Sequence, residues 1–171
     1  QDELSLLTIL SSVKAPQGRF EYFLSDQKIT AVIDYAHTPD ALENVLKTLI
    51  DLKKGTEKVI TVFGCGGNRD KGKRPLMGEI ASRLSDQVLI TSDNPRNEDP
   101  DSIINEIYHG VPSILKEKVF TVTDRMEAIE MACNMASAGD VILIAGKGHE
   151  NYQIIGNESL HFDDMENTIH I

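Results

Sequence analysis

The chain has 171 residues, the size of one domain with a single hydrophobic core. Its 17 Lys and Arg stand against 27 Asp and Glu, and the formal charge of -10 repels a phosphate backbone, which argues against a nucleic-acid partner. No apolar run approaches the roughly 18 residues of a membrane span, and Cys65 and Cys133 supply neither a metal spacing nor a disulfide framework, so no membrane partner and a reducing, cytoplasmic setting are expected.

The opening Gln1-Asp2-Glu3 is unlike a signal peptide, and a start at Gln1 rather than Met reads as an excised fragment. Leu4, Leu6, Leu7, Ile9 and Leu10 point to a helix early in the chain, with residues 1–15 taken as a linker from a preceding domain. Short β-branched runs then recur at Ile29 to Ile33, Val59 to Phe63, Val88 to Thr91, Val119 to Thr123 and Val141 to Ala145, each the length of a buried strand. Between them, Leu42, Val45, Leu46 and Leu49, and later Ile103, Ile104 and Ile107, put apolar groups on one helical face. Thr38 before Pro39 reads as N-cap and N1, and Asp124 with Glu127 as a capping box. Two segments leave the alternation: Phe20 to Leu24, and Tyr152 to Phe162, where Gly156-Asn157 between short apolar stretches predicts a hairpin. The fold class is α/β: a doubly wound, mostly parallel sheet flanked by helices, with a C-terminal hairpin, over residues 1–171 as one domain.

In such sheets ligands bind beyond the carboxyl ends of the strands, where loops and helix N-termini converge. Asp34 to His37, Gly64 to Arg74, Ser92 to Arg96 and Gly146 to Glu150 each follow a predicted strand, so the four clusters are expected to share one edge. Gly64-Cys65-Gly66-Gly67 fails the dinucleotide fingerprint because position 69 is Arg, and Gly67 to Arg74 fails the P-loop because Arg74 stands where Ser or Thr would ligate magnesium. The glycines are equally well explained by a tight backbone turn. Arg69, Lys71, Lys73 and Arg74, four cations within six residues of an acidic chain, point to an anionic ligand. Asp93-Asn94-Pro95-Arg96 taken alone is a strand-ending turn. His149-Glu150 lacks the second His of a zinc-protease motif, His37 alone is more often a helix-terminus residue than a catalyst, and Cys65 has no nucleophile–base partner nearby in sequence; none identifies an enzyme by itself, and no catalytic residue or metal site is assigned.

Taken together, Val32 to Asp40 (VIDYAHTPD), Phe63 to Asp70 (FGCGGNRD), Ser92 to Arg96 (SDNPR) and Gly146 to Glu150 (GKGHE) resemble the C-terminal domain of the UDP-N-acetylmuramoyl-tripeptide synthetases (MurE), within the Mur ligases. The likeness runs from about Gly18 to Asp164. It implies a Rossmann-like domain of a three-domain enzyme that uses ATP and magnesium to activate the D-glutamate carboxylate of UDP-N-acetylmuramoyl-L-alanyl-D-glutamate as an acyl phosphate. The amine of meso-diaminopimelate then attacks, and ADP and phosphate leave. The P-loop and carbamylated lysine of the family lie in a central domain, so this fragment alone is expected to be inactive and ATP and magnesium to be held mainly elsewhere. The resemblance places Asp93, Asn94, Pro95 and Arg96 in the motif for the incoming amino acid, with Arg69 as a second carboxylate partner and Gly146 and Glu150 at its other polar ends. It places Arg19, Asp34 and His37 against the nucleotide. Lysine-adding members usually carry Ala at the position of Arg96, and a guanidinium fork matches the distal carboxylate that distinguishes diaminopimelate from lysine. The competing readings are a lysine-adding or folylpolyglutamate-type ligase domain, and a stand-alone binding module without catalysis.

Overall fold

The computed structural model describes residues 19–169, so the helix expected within the first fifteen residues lies outside the described residues. In chain order the elements are β1 Glu21–Leu24, β2 Thr30–Asp34, α1 Pro39–Leu52, β3 Val59–Phe63, α2 Lys73–Leu84, β4 Gln87–Ile90, α3 Pro100–His109, a 3₁₀ segment Ser113–Lys118, β5 Val119–Thr121, α4 Arg125–Met135, β6 Val141–Ala145, β7 Tyr152–Ile155, β8 Glu158–His161 and α5 Asp164–Ile169.

Six strands form one sheet in the order β1-β2-β6-β3-β4-β5. Only β1 is antiparallel, pairing with β2 in the register Glu21↔Ile33, and this accounts for the segment before the first β-branched run. The chain steps outward from β2 to β5 and returns through α4 to insert β6 between β2 and β3. Strands with two covered faces read as continuous apolar runs, and β6 shows how they divide. Val141, Leu143 and Ala145 pack with Leu42, Leu46, Met77, Ala81 and Ile107 of α1 to α3, while Ile142 and Ile144 pack with Ala128, Ile129 and Ala132 of α4.

The helix starts follow their sequence signals. Thr38 Oγ1 accepts from the Ala41 N–H at 3.3 Å, with Pro39 as first helical residue, and Asp124 Oδ1 accepts from the Glu127 N–H at 3.0 Å. Each takes up a donor that the first helical turn leaves unpaired. The C-terminal hairpin joins β7 to β8 through Gly156-Asn157, with Gly156 at φ 59°, the left-handed conformation that a two-residue turn needs at its first position. Periodicity did not single out α2, which begins at Lys73, inside the stretch read as a basic loop, and whose buried face includes Arg74.

Candidate functional site

The four polar clusters meet at the carboxyl edge of the sheet. Strand order makes β2, β6, β3 and β4 neighbours, so their following loops lie side by side. The Gly146 N–H donates to Asp34 O at 3.0 Å, and the Gly67 N–H to Asn94 O at 2.8 Å. Lys147 Nζ donates to Asn94 Oδ1 at 2.9 Å, and Lys73 Nζ to His37 O at 2.7 Å. Two glycines permit the closest approach: a Cβ on Gly64 would overlap the Thr91 carbonyl, and one on Gly67 the Pro95 carbonyl. The glycine loop after β3 therefore packs backbone to backbone on the Asp93-Asn94-Pro95-Arg96 loop.

Arg96 sits at φ 53°, a conformation uncommon for a side chain of its size. β7 holds it there: the Arg96 N–H donates to Ile154 O at 3.0 Å, and Arg96 O accepts from the Gly156 N–H at 2.7 Å. Its Nη1 donates to Gly67 O at 2.9 Å, while Nε and Nη2 have no partner among the described residues. Arg69 likewise has no ion pair or hydrogen bond among the described residues. The two side chains converge on Gly66, where a Cβ would stand 2.9 Å from Arg96 Nη1 and 3.4 Å from Arg69 Cγ. Two guanidiniums without carboxylate partners thus border one glycine loop in a chain of net charge -10, an arrangement that suits a carboxylate or phosphate.

Beside them Asp93, Asn94 and Lys147 are buried. Lys147 Nζ lies 3.1 Å from Asp93 Oδ1, an ion pair without a well-aligned hydrogen bond, and also donates to Tyr152 O at 2.8 Å. Burial pulls the Lys147 ammonium below its ordinary pKa range, against the opposing pull of Asp93. Glu150 Oε2 is 3.4 Å from Asn94 Nδ2. Burial, then the negative field of Glu150, raises the Tyr35 phenol above its usual range. Gly146, at φ 115°, brings its α-carbon beside Asp93, with room for a Cβ only 3.3 Å from Asp93 Oδ2.

On the β2 side, Arg19 and His37 are exposed, and His37 Nδ1 lies 2.9 Å from Tyr35 O. Asp34 is first a backbone clasp: Oδ2 accepts from the Phe20 N–H at 2.9 Å and Oδ1 from the Ala36 N–H at 2.7 Å. The Tyr35 ring packs between His37 and His149, with centroids 4.5 and 5.7 Å away. A cavity of about 420 Å³ between Ser25, Ile29, Cys133 and Thr168 lies at the opposite end of the strands and touches none of these clusters.

The four-cation reading needs correction. Arg74 is without solvent exposure and donates to Glu98, Glu106 and Gly66 O, and Lys71 pairs with Glu98 at 3.3 Å. Their carboxylate partners lie more than twenty residues on, beyond the reach of a local charge pattern, so of the four only Arg69 is left for a ligand. Sequence reasoning also passed over Arg125 and Asp164, paired beneath the loops with no exposure on either side chain.

An open, mostly parallel α/β sheet whose loops gather two uncommitted guanidiniums, a buried acid–lysine pair and a half-buried carboxylate at its carboxyl edge is a doubly wound domain with the chemistry to hold a small polar ligand there. The chain belongs to the Mur ligase family: residues 18–148 match the family described as Mur ligase, glutamate ligase domain. It is 55% identical over 164 residues to the UDP-N-acetylmuramoyl-L-alanyl-D-glutamate--2,6-diaminopimelate ligase of Cytophaga hutchinsonii and 54% identical to that of Bacteroides fragilis, covering 96% of this chain and 34% of each relative. A solved structure of a ligase with the same name is similar with a TM-score of 0.82 and 43% identity, over 92% of this chain and 31% of that one. The chain thus spans about a third of the length of the curated relatives it matches. Among the described residues no helix is long and apolar enough to cross a membrane, and no three His, Cys, Asp or Glu side chains converge as metal ligands.

Proposed function

We propose that this chain is the amino-acid-binding and nucleotide-closing domain of an ATP-dependent ligase that joins meso-diaminopimelate to UDP-N-acetylmuramoyl-L-alanyl-D-glutamate. The observation that carries this reading is Arg96, braced through one nitrogen on Gly67 O with its remaining fork uncommitted beside Arg69. Lysine offers nothing to a guanidinium at its far end, whereas diaminopimelate offers a carboxylate. Glu150, a half-buried carboxylate at the same edge, suits the ammonium. Relatives 54% and 55% identical to this chain over 164 aligned residues carry diaminopimelate ligase in their names, which supports the same choice.

In the reaction, the γ-phosphate of ATP passes to the substrate carboxylate, the incoming amine displaces phosphate from that acyl phosphate, and an amide, ADP and phosphate result. Arg19, Asp34, Tyr35 and His37 fit one wall of the nucleotide site. Among the described residues no three His, Cys, Asp or Glu side chains converge, and no step is assigned to magnesium within this chain. Both cysteines are free thiols, which supports a cytoplasmic setting. The test is ATP-dependent incorporation of radiolabelled meso-diaminopimelate into the UDP-linked dipeptide by the full-length polypeptide carrying this chain, with lysine in competition. Preferential incorporation of lysine, or of neither, overturns the reading.

A further inference from the structure

We infer that Lys147 is a positioning residue that locks the Asn94 side-chain amide with its NH₂ group toward the ligand, so that this subsite reads a hydrogen-bond acceptor, a carboxylate oxygen of the amino acid. The inference rests on the function proposed above and adds to it a residue outside the ligand contacts. Asn94 Oδ1 meets two groups, Lys147 Nζ at 2.9 Å and the Ile154 N–H at 3.0 Å. An ammonium and a backbone N–H can only donate, so a flipped amide would set its own donors against both. The orientation is fixed by chemistry, and the NH₂ faces the other way, toward Glu150 Oε2 at 3.4 Å.

Lys147 is fully committed to this cluster. Its ammonium has three protons and three oxygens around it: Asn94 Oδ1, Tyr152 O and Asp93 Oδ1. Its side chain is without solvent exposure, so it touches no solvent-borne ligand itself. Through those three contacts it joins the loop after β4, the loop after β6 and the first residue of β7. Asn94 and Glu150 then present opposite chemistry side by side, an NH₂ for a carboxylate and a carboxylate for an ammonium, which is the pattern of an amino acid's own α-groups.

The test uses the full-length polypeptide and reads KM for each substrate separately. In Lys147→Met the Asn94 oxygen keeps one donor of two, and KM for the amino acid should rise about tenfold. KM for ATP and for the UDP-linked substrate should stay within about twofold, a split that a merely structural role would not produce. Should Lys147→Met fail to fold, Asn94→Asp decides the orientation with Lys147 intact: a carboxylate oxygen replaces the NH₂, and KM for the amino acid should rise about 100-fold. An Asn94→Asp enzyme with unchanged KM, or a Lys147→Met enzyme whose three KM values rise together, overturns the proposal. If the wild type uses lysine instead, the diaminopimelate reading falls, while the same comparison made with lysine, which also bears an α-carboxylate, still decides the role of Lys147.

Discussion

Arg125 and Asp164 face each other across 39 residues of chain with two bonds of 2.8 Å, Nε to Oδ1 and Nη2 to Oδ2, and neither side chain is exposed. The same guanidinium donates to Ser92 O and Ala145 O, each at 3.2 Å. One buried cation therefore ties the residues that follow β4 and end β6 to the first residue of α5. Asp164→Ala strands that cation and is expected to cost about 3 to 5 kcal/mol in urea unfolding. The double change Arg125→Met with Asp164→Leu removes both charges and should cost clearly less than Asp164→Ala alone. A double variant as unstable as the single one would mean that the pair is not the source of the loss.

Glu98 gives the fold an acid-sensitive joint. Arg74 reaches both its oxygens at 3.0 Å, the Asn68 N–H adds a bond at 2.6 Å, and Lys71 lies at 3.3 Å. Arg74 first, then the Asn68 N–H, hold the carboxyl at about 2 against an ordinary 4.5. A folded-state pKa below the unfolded one contributes stability that is complete above 4.5 and is lost as pH falls through about 2. Wild type and Glu98→Gln should therefore differ most in urea midpoint above pH 4.5 and converge toward pH 2. Parallel pH profiles for the two proteins would count against the pairing.

Gly67 tests the packing of one site loop on the other. Its added Cβ would meet the backbone carbonyl of Pro95, which cannot swing aside as a side chain can. Gly67→Ala should lose about 1 to 3 kcal/mol. At Gly55 the nearest atom to such a Cβ is the end of the Glu57 side chain at 3.5 Å, so Gly55→Ala should stay within about 0.5 kcal/mol of wild type. Equal effects at the two positions would remove the loop-packing argument.

These residues show what sequence could and could not reveal. The strands at Val59–Phe63 and Val141–Ala145 were legible to the residue because buried parallel strands are apolar on both faces. The start of α1 was legible because Thr-Pro is a local capping signal. The common edge of the four clusters was legible because each directly follows a strand of a parallel sheet. α2 was not legible: it has no side-chain cap, and its buried face carries Arg74, so its apolar spacing is broken by a charge whose partners, Glu98 and Glu106, come much later in the chain. Arg125, Lys147 and Asp164 were missed for the same reason, since each acquires its role from residues brought close only by the fold. Arg96 stood out as a chemical type, but its bracing depends on Gly67 in the loop after β3 and on Ile154 and Gly156 in a hairpin more than fifty residues away.

That bracing makes Arg96 the position at which the proposed selectivity is most directly tested. The hairpin fixes its backbone at both N–H and C=O, and Gly67 O fixes one guanidinium nitrogen, so little freedom is left to lose when a carboxylate binds. In the full-length polypeptide, Arg96→Ala should lower kcat/KM for meso-diaminopimelate by about 2 to 5 kcal/mol, the range for a charged group left unpaired in a partly buried site. Lysine, with no distal carboxylate to leave stranded, should lose far less, so the ratio of the two kcat/KM values should fall. Arg96→Lys should recover part of the loss, because an ammonium restores charge without the planar fork. Side-chain truncation also relaxes the left-handed backbone poorly, and Arg96→Gly, which suits φ 53° better, separates the two effects. It should be at least as stable as Arg96→Ala in urea, with the same loss of selectivity. If Arg96→Ala and Arg96→Gly both leave the ratio of kcat/KM for the two amino acids at its wild-type value, Arg96 is a turn residue and the selector lies elsewhere.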